Sequence, residues 1–77
     1  MHENYVTQDM CLAVTLQCLG APLAGIEWHD PRRASFCFEG SEDLHKSIEA
    51  YWRNEVRIEP KTFFGCLKST KTRLYNN

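Results

Sequence analysis

Residues 23–40, LAGIEWHDPRRASFCFEG, decide the fold, because they have the pattern of two short strands joined by a turn at Pro31. An antiparallel register gives one face of this hairpin three apolar pairs, which are Trp28 with Ala34, Ile26 with Phe36, and Ala24 with Phe38. The opposite face is mixed. Since a sheet with one apolar face has to be covered on that face, the stretch predicts a hairpin over residues 23–39 packed by helices, within an α+β fold.

Three further segments have the apolar spacing of helices, and they cover residues 8–19, 41–54 and 60–74. In the first, Leu12, Leu16 and Leu19 fall on one stripe, so this helix is expected to be the most buried. Thr7 precedes it and is expected to be its N-cap. Gly20 is expected to end it in the left-handed conformation.

The sequence also predicts a role for one residue in each of the second and third helices. Trp52 is expected to pack on the hairpin, so that its truncation to alanine is among the most damaging changes. Gly65 is expected to mark a close approach of the third helix to another element. Between these helices, Val56 and Ile58 alternate with charged residues, which predicts a short edge strand at residues 56–58.

Length and composition favour a small domain spanning residues 1–77, with a core so limited that self-association would add useful burial. The apolar runs are far shorter than the roughly 20 residues of a membrane span. The N-terminus has no basic, apolar leader, so a cytoplasmic location without membrane contact is expected. Charge is uneven, with residues 1–52 acidic and residues 53–77 basic, which indicates a charged partner.

No motif in the sequence predicts catalysis or a cofactor. The four cysteines, Cys11, Cys18, Cys37 and Cys66, form no CxxC pair, so we expect reduced thiols used as small apolar residues rather than a metal site. Phosphate-binding loops, zinc-binding HExxH and the GxSxG nucleophile motif do not occur. The sequence therefore predicts that the protein is not an enzyme.

Two kinds of binding remain open. The first is a protein–protein contact or self-association, including a homodimer, through the predicted edge at Val56 and Ile58. The second is nucleic-acid binding through the basic C-terminal region, with Arg53, Arg57, Lys61, Lys68, Lys71 and Arg73 as the candidate contacts. The same charges also fit an ordinary solvated helix surface.

Three segments carry a resemblance to a known family: YVTQD at residues 5–9 leading into Leu12 and Ala13, FCFE at residues 36–39, and residues 68–75. Through them the chain resembles, over nearly its whole length, an uncharacterised family of small bacterial and phage domains. The resemblance implies a cytoplasmic setting in bacteria or phages. The resemblance implies no particular activity and no catalytic residues.

Overall fold

The computed structural model describes residues 3–76. Within them the elements are, in chain order, β1 (Tyr5–Thr7), α1 (Met10–Cys18), β2 (Leu23–Asp30), β3 (Arg33–Phe38), α2 (Glu42–Trp52) and α3 (Pro60–Tyr75). The predicted α+β class is confirmed. Each of the three helices begins and ends within two residues of its predicted bounds.

The sheet has three antiparallel strands in the order β1-β3-β2. β2 and β3 form the predicted hairpin, and two expected pairs are confirmed, Ile26 with Phe36 and Trp28 with Ala34. The third expected pair is wrong, because Phe38 lies opposite Leu23 rather than Ala24. The register shifts between Leu23 and Gly25, so the bulge leaves Ala24 exposed and brings Leu23 into the core.

The edge strand beside β3 is β1, whereas the strand predicted at residues 56–58 is absent. β1 pairs with β3 so that Tyr5 lies opposite Phe38. Residues 55–59 have no regular structure, and Val56 and Ile58 are half-buried between exposed neighbours. Two apolar residues in alternation with charges are too short a pattern to distinguish an edge strand from a loop that turns every second side chain inward.

The start of α1 is capped by Asp9, not by Thr7 as expected. The Asp9 carboxylate accepts a hydrogen bond from the Leu12 backbone N–H at 3.1 Å. Thr7 is the last residue of β1, and its hydroxyl accepts from the Asp9 N–H at 3.0 Å. The Thr7 hydroxyl therefore orients the backbone that leads into the N-cap, and the Asp9 carboxylate accepts a hydrogen bond from a backbone N–H that has no partner within the helix.

α1 packs against β1, α2 and α3, which is why all of residues 12–16 are buried. The expectation that α1 is the most buried helix is confirmed, but Leu19 is exposed, because the helix ends at Cys18 and Gly20 turns the chain with a φ of 104°. The buried core contains Leu12, Ala13, Leu16, Leu23, Phe36, Phe38, Leu44 and Leu74. The Cα atoms span 33 × 32 × 17 Å, a thickness that fits one helix layer on one sheet.

α2 is capped by Ser41, whose hydroxyl accepts from the Leu44 N–H at 3.0 Å. Leu44 is buried, and Ile48 and Tyr51 pack against the core. The expectation for Trp52 is wrong, since this side chain is 62 % exposed. It lies one residue beyond the inward stripe, turned about 100° from Tyr51, and contacts the Tyr51 ring edge-on at a centroid distance of 5.0 Å.

α3 begins at Pro60, as predicted, with Glu59 as its N-cap. The Glu59 carboxylate accepts from the Thr62 N–H at 3.0 Å. Hydrogen bonds from the backbone N–H groups of Lys61 and Thr62 hold the pKa of Glu59 below its usual value. The expectation for Gly65 is wrong, because a Cβ built at this position would contact nothing within 4 Å.

Candidate binding surface on the third helix and the hairpin

The six basic residues singled out in the sequence divide into two groups. The three arginines contact the chain itself: Arg53 lies 3.7 Å from the Glu49 carboxylate, Arg57 donates to the carbonyls of Asn54 and Val56 at 3.1 Å, and Arg73 donates to the Leu23 carbonyl at 3.3 Å. The three lysines, Lys61, Lys68 and Lys71, are exposed on α3. Only the lysines therefore share one face of one element.

Two exposed aromatic residues lie on the same face of α3 as the lysines. Phe64 is 58 % exposed and Tyr75 is 72 % exposed. At 3.6 residues per turn, the five side chains fall within about 80° of one another and extend over about 21 Å of helix. We call this face the α3 stripe, and it consists of Lys61, Phe64, Lys68, Lys71 and Tyr75.

The charge of α3 is entirely positive, because residues 60–75 contain no aspartate and no glutamate. The Lys68 Nζ lies 5.5 Å from the centroid of the Phe64 ring, in cation–π contact. This contact holds the ammonium group beside the exposed ring. The stripe thus presents cationic and aromatic groups side by side, with no carboxylate on the helix to neutralise them.

A groove of about 400 Å³ lies next to the C-terminal end of the α3 stripe. Its walls come from α1, the hairpin and α3, and the residues that line it are Gln8, Met10, Trp28, Pro31, Arg32, Ala34, Phe36, Leu74 and Tyr75. Tyr75 belongs both to the stripe and to the groove, so the two are continuous. Trp28, 40 % exposed, is a second exposed aromatic residue that lines the groove. We call the stripe and the groove together the α3–hairpin surface.

The hairpin tip leaves one arginine facing the groove. Arg33 Nε lies 3.1 Å from the Asp30 carboxylate, which also accepts from the Arg32 backbone N–H at 2.8 Å. The Arg32 N–H, followed by the Arg33 side chain, holds the pKa of Asp30 below its usual value. Asp30 is therefore engaged by the turn. Among the described residues that line the groove, Arg32 is the one that carries a formal charge.

The predicted protein-contact residues do not join this surface. Val56 and Ile58 line a separate cavity of about 240 Å³, together with Thr15, Tyr51, Asn54 and Phe63. They face the helices rather than an open sheet edge. The two edge strands of the sheet are instead β1 and β2.

Sequence reasoning found the lysines of this surface and missed its aromatic residues. Phe64 and Tyr75 recur with the lysines at helical spacing, and this spacing was the available signal. Residues 3–76 contain no candidate metal-binding site, because no three His, Cys, Asp or Glu side chains lie close enough together to hold an ion. None of the helices described is both long and apolar enough to cross a membrane.

The arrangement defines a small α+β domain in which three helices cover one face of a three-stranded antiparallel sheet. The chain belongs to the family of domains of unknown function DUF5659, whose model matches residues 2–76. The expected membership of an uncharacterised family is confirmed, and its bacterial or phage setting stays a prediction. Comparisons with curated proteins and with solved structures find no significant match.

Proposed function

We propose that this domain binds single-stranded nucleic acid along the α3–hairpin surface, in the cytoplasm, and that it acts by binding rather than as an enzyme. The observation that carries the proposal is the alternation of exposed lysines and exposed aromatic rings on one face of a helix without acidic residues. Ammonium groups neutralise phosphates, and aromatic rings stack on unpaired bases of any sequence.

A solvated helix surface explains the lysines but not the aromatic residues. Phe64 and Tyr75 each expose more than half of their surface, and solubility gains nothing from such exposure. The groove is lined by the exposed aromatic residues Tyr75 and Trp28 and by Arg32. An unpaired base with its phosphate matches both features, because the rings offer stacking and the guanidinium offers bidentate hydrogen bonding.

The test is fluorescence anisotropy of a labelled oligothymidylate of roughly 15 nucleotides, titrated with the protein at several salt concentrations. If about three phosphates are neutralised, log K falls with log salt at a slope of about −2, a loss of about 20-fold between about 50 and 200 mM. Lys68→Ser combined with Lys71→Ser is expected to reduce this slope. Tyr75→Ser is expected to weaken binding by about fivefold or more through lost stacking.

Matched controls lie on α2. Lys46 is an exposed lysine whose Nζ lies 3.9 Å from the Glu42 carboxylate, and Trp52 is an exposed aromatic residue on the same helix. Lys46→Ser and Trp52→Ser are expected to leave affinity and salt slope unchanged. Absence of binding at low salt, or equal effects of the α2 and α3 variants, would contradict the proposal.

A second candidate is protein contact or self-association through β2, which replaces the sequence prediction at Val56 and Ile58. β2 has eight residues and lies at the edge of the sheet, where β3 is its one strand partner within residues 3–76. Its outer backbone groups can accept an added strand from a partner or a second copy. Light scattering then gives twice the 9.0 kDa chain mass at rising concentration, with little effect of salt. A constant mass of 9.0 kDa would remove self-association as the explanation.

A further inference from the structure

Two of the four cysteines lie on the helices α1 and α3, which pack against each other. Cys18 is the last residue of α1, Cys66 lies within α3, and both thiols are half-buried. Beside them, Gln17 Nε2 donates to the Thr70 hydroxyl at 3.0 Å, one turn along α3 from Cys66. Burial, followed by the contact with Cys66, raises the pKa of the Cys18 thiol to about 11.

The other two cysteines have different surroundings. Cys11 is exposed, and its interaction with the Tyr51 hydroxyl on α2, followed by burial, raises the pKa of Tyr51 to about 12. Cys37 lies in β3, opposite Val6 on one side and Gly25 on the other. Among the described residues, the thiol–thiol contact is therefore specific to the pair at the α1–α3 interface.

We propose that Cys18 and Cys66 form a redox-sensitive dithiol, which a low-molecular-weight disulfide oxidises to an intramolecular disulfide joining α1 to α3. The thiolate of Cys66 attacks one sulfur of the oxidant, forming a mixed disulfide and releasing one thiolate. The thiolate of Cys18 then attacks the Cys66 sulfur and releases the second. Two protein S–H bonds are replaced by one S–S bond, and the protons end on two molecules of released thiol.

Local structure favours closure of this bond. A Cβ built at Gly65 would contact nothing within 4 Å, so there is free space beside the backbone before Cys66. Glycine is also the least sterically restricted residue, so this backbone can adjust to the geometry of a disulfide. Cys66 also points away from the α3 stripe, on the face that holds Thr70 against α1. The inference is therefore independent of the proposed nucleic-acid binding, and its test does not use that activity.

The experiment treats the Cys11→Ser, Cys37→Ser double variant and the wild-type chain with oxidised glutathione, followed by intact mass and non-reducing peptide mapping. We expect the loss of two hydrogens, one cross-linked peptide containing Cys18 and Cys66, and a melting temperature higher by on the order of 10 °C than in dithiothreitol. Cys18→Ser and Cys66→Ser are expected to show neither the cross-link nor the rise in melting temperature.

Three results would overturn the proposal. The first is a wild-type chain that accumulates stable glutathione adducts on Cys18 or Cys66 without a bridge. The second is a bridge that includes Cys11 or Cys37. The third is a disulfide between two chains. Peptide mapping of the wild-type protein separates these results even if a serine variant fails to fold.

Discussion

Replacing Phe38 with alanine is expected to destabilise the domain far more than replacing Trp52, although tryptophan is the larger residue. Phe38 is 1 % exposed, so it hides nearly all of its surface in the core. An area of roughly 200 Å² corresponds to about 5 kcal/mol of transfer free energy, and measured truncations of this kind cost about 3 to 5 kcal/mol.

Trp52 is 62 % exposed, so it hides only about two fifths of its area. On the same scale its truncation costs at most about 2 kcal/mol, including the edge-on contact with Tyr51. A chain of 77 residues has a free energy of unfolding of about 4 to 12 kcal/mol. Phe38→Ala therefore removes a large fraction of the stability, and Trp52→Ala removes a small one.

Urea denaturation followed by circular dichroism measures both free energies of unfolding. If Phe38→Ala is unfolded without urea, Phe38→Leu provides a second variant, with an expected cost of about 1 kcal/mol. A loss for Trp52→Ala equal to or larger than that for Phe38→Ala would refute the assignment of α2 as a helix that directs Tyr51 inward and Trp52 outward.

Three further predictions concern polar groups and the backbone. Hydrogen bonds from the first backbone N–H groups of α3 lower the pKa of Glu59 in the folded protein. The Glu59 carboxylate therefore stabilises the fold above about pH 4.5, and this stabilisation is lost as the pH falls through the pKa that Glu59 has in the folded protein. When the melting temperature is measured at decreasing pH, Glu59→Gln should show a smaller decline than the wild type. Thr70→Val leaves the Gln17 amide without one acceptor and is expected to cost about 1 to 2 kcal/mol in urea denaturation, whereas Thr72→Val on the exposed side is expected to be nearly neutral. Asn54 has a φ of 60°, so Asn54→Gly should be neutral or stabilising and Asn54→Val should lower the free energy of unfolding by about 1 to 2 kcal/mol.

The hairpin and the starts of α2 and α3 were predictable because each rests on a local pattern. Alternation over residues 23–39 specified the pairs around Ile26 and Trp28, and Ser41 and Pro60 marked the starts of α2 and α3. The bulge after Leu23 was not predictable, since a shift of one residue leaves the apolar composition unchanged. β1 was too short for its pairing to be predicted from three residues.

The candidate site was only partly visible in the sequence for a related reason. Lysine was expected at the surface, so Lys61, Lys68 and Lys71 were identified. Trp52 was expected to pack on the hairpin, which is wrong, and Phe64 and Tyr75 were not predicted to belong to a surface site. Whether an aromatic side chain is buried depends on how α1 packs against β1, α2 and α3. That packing is visible only in the folded structure.

The short pairing of β1 with β3 also bears on how the sheet can open locally. β2 and β3 are joined by a two-residue turn, so their contacts close a short loop. α1 and β2 separate β1 from β3 in the chain, and β1 pairs with β3 over only three residues, so we expect β1 to detach from the sheet more readily than β2. Its departure uncovers the backbone of β3 around Phe38, which makes transient β1 opening the easiest route by which this small fold exposes an unpaired inner strand.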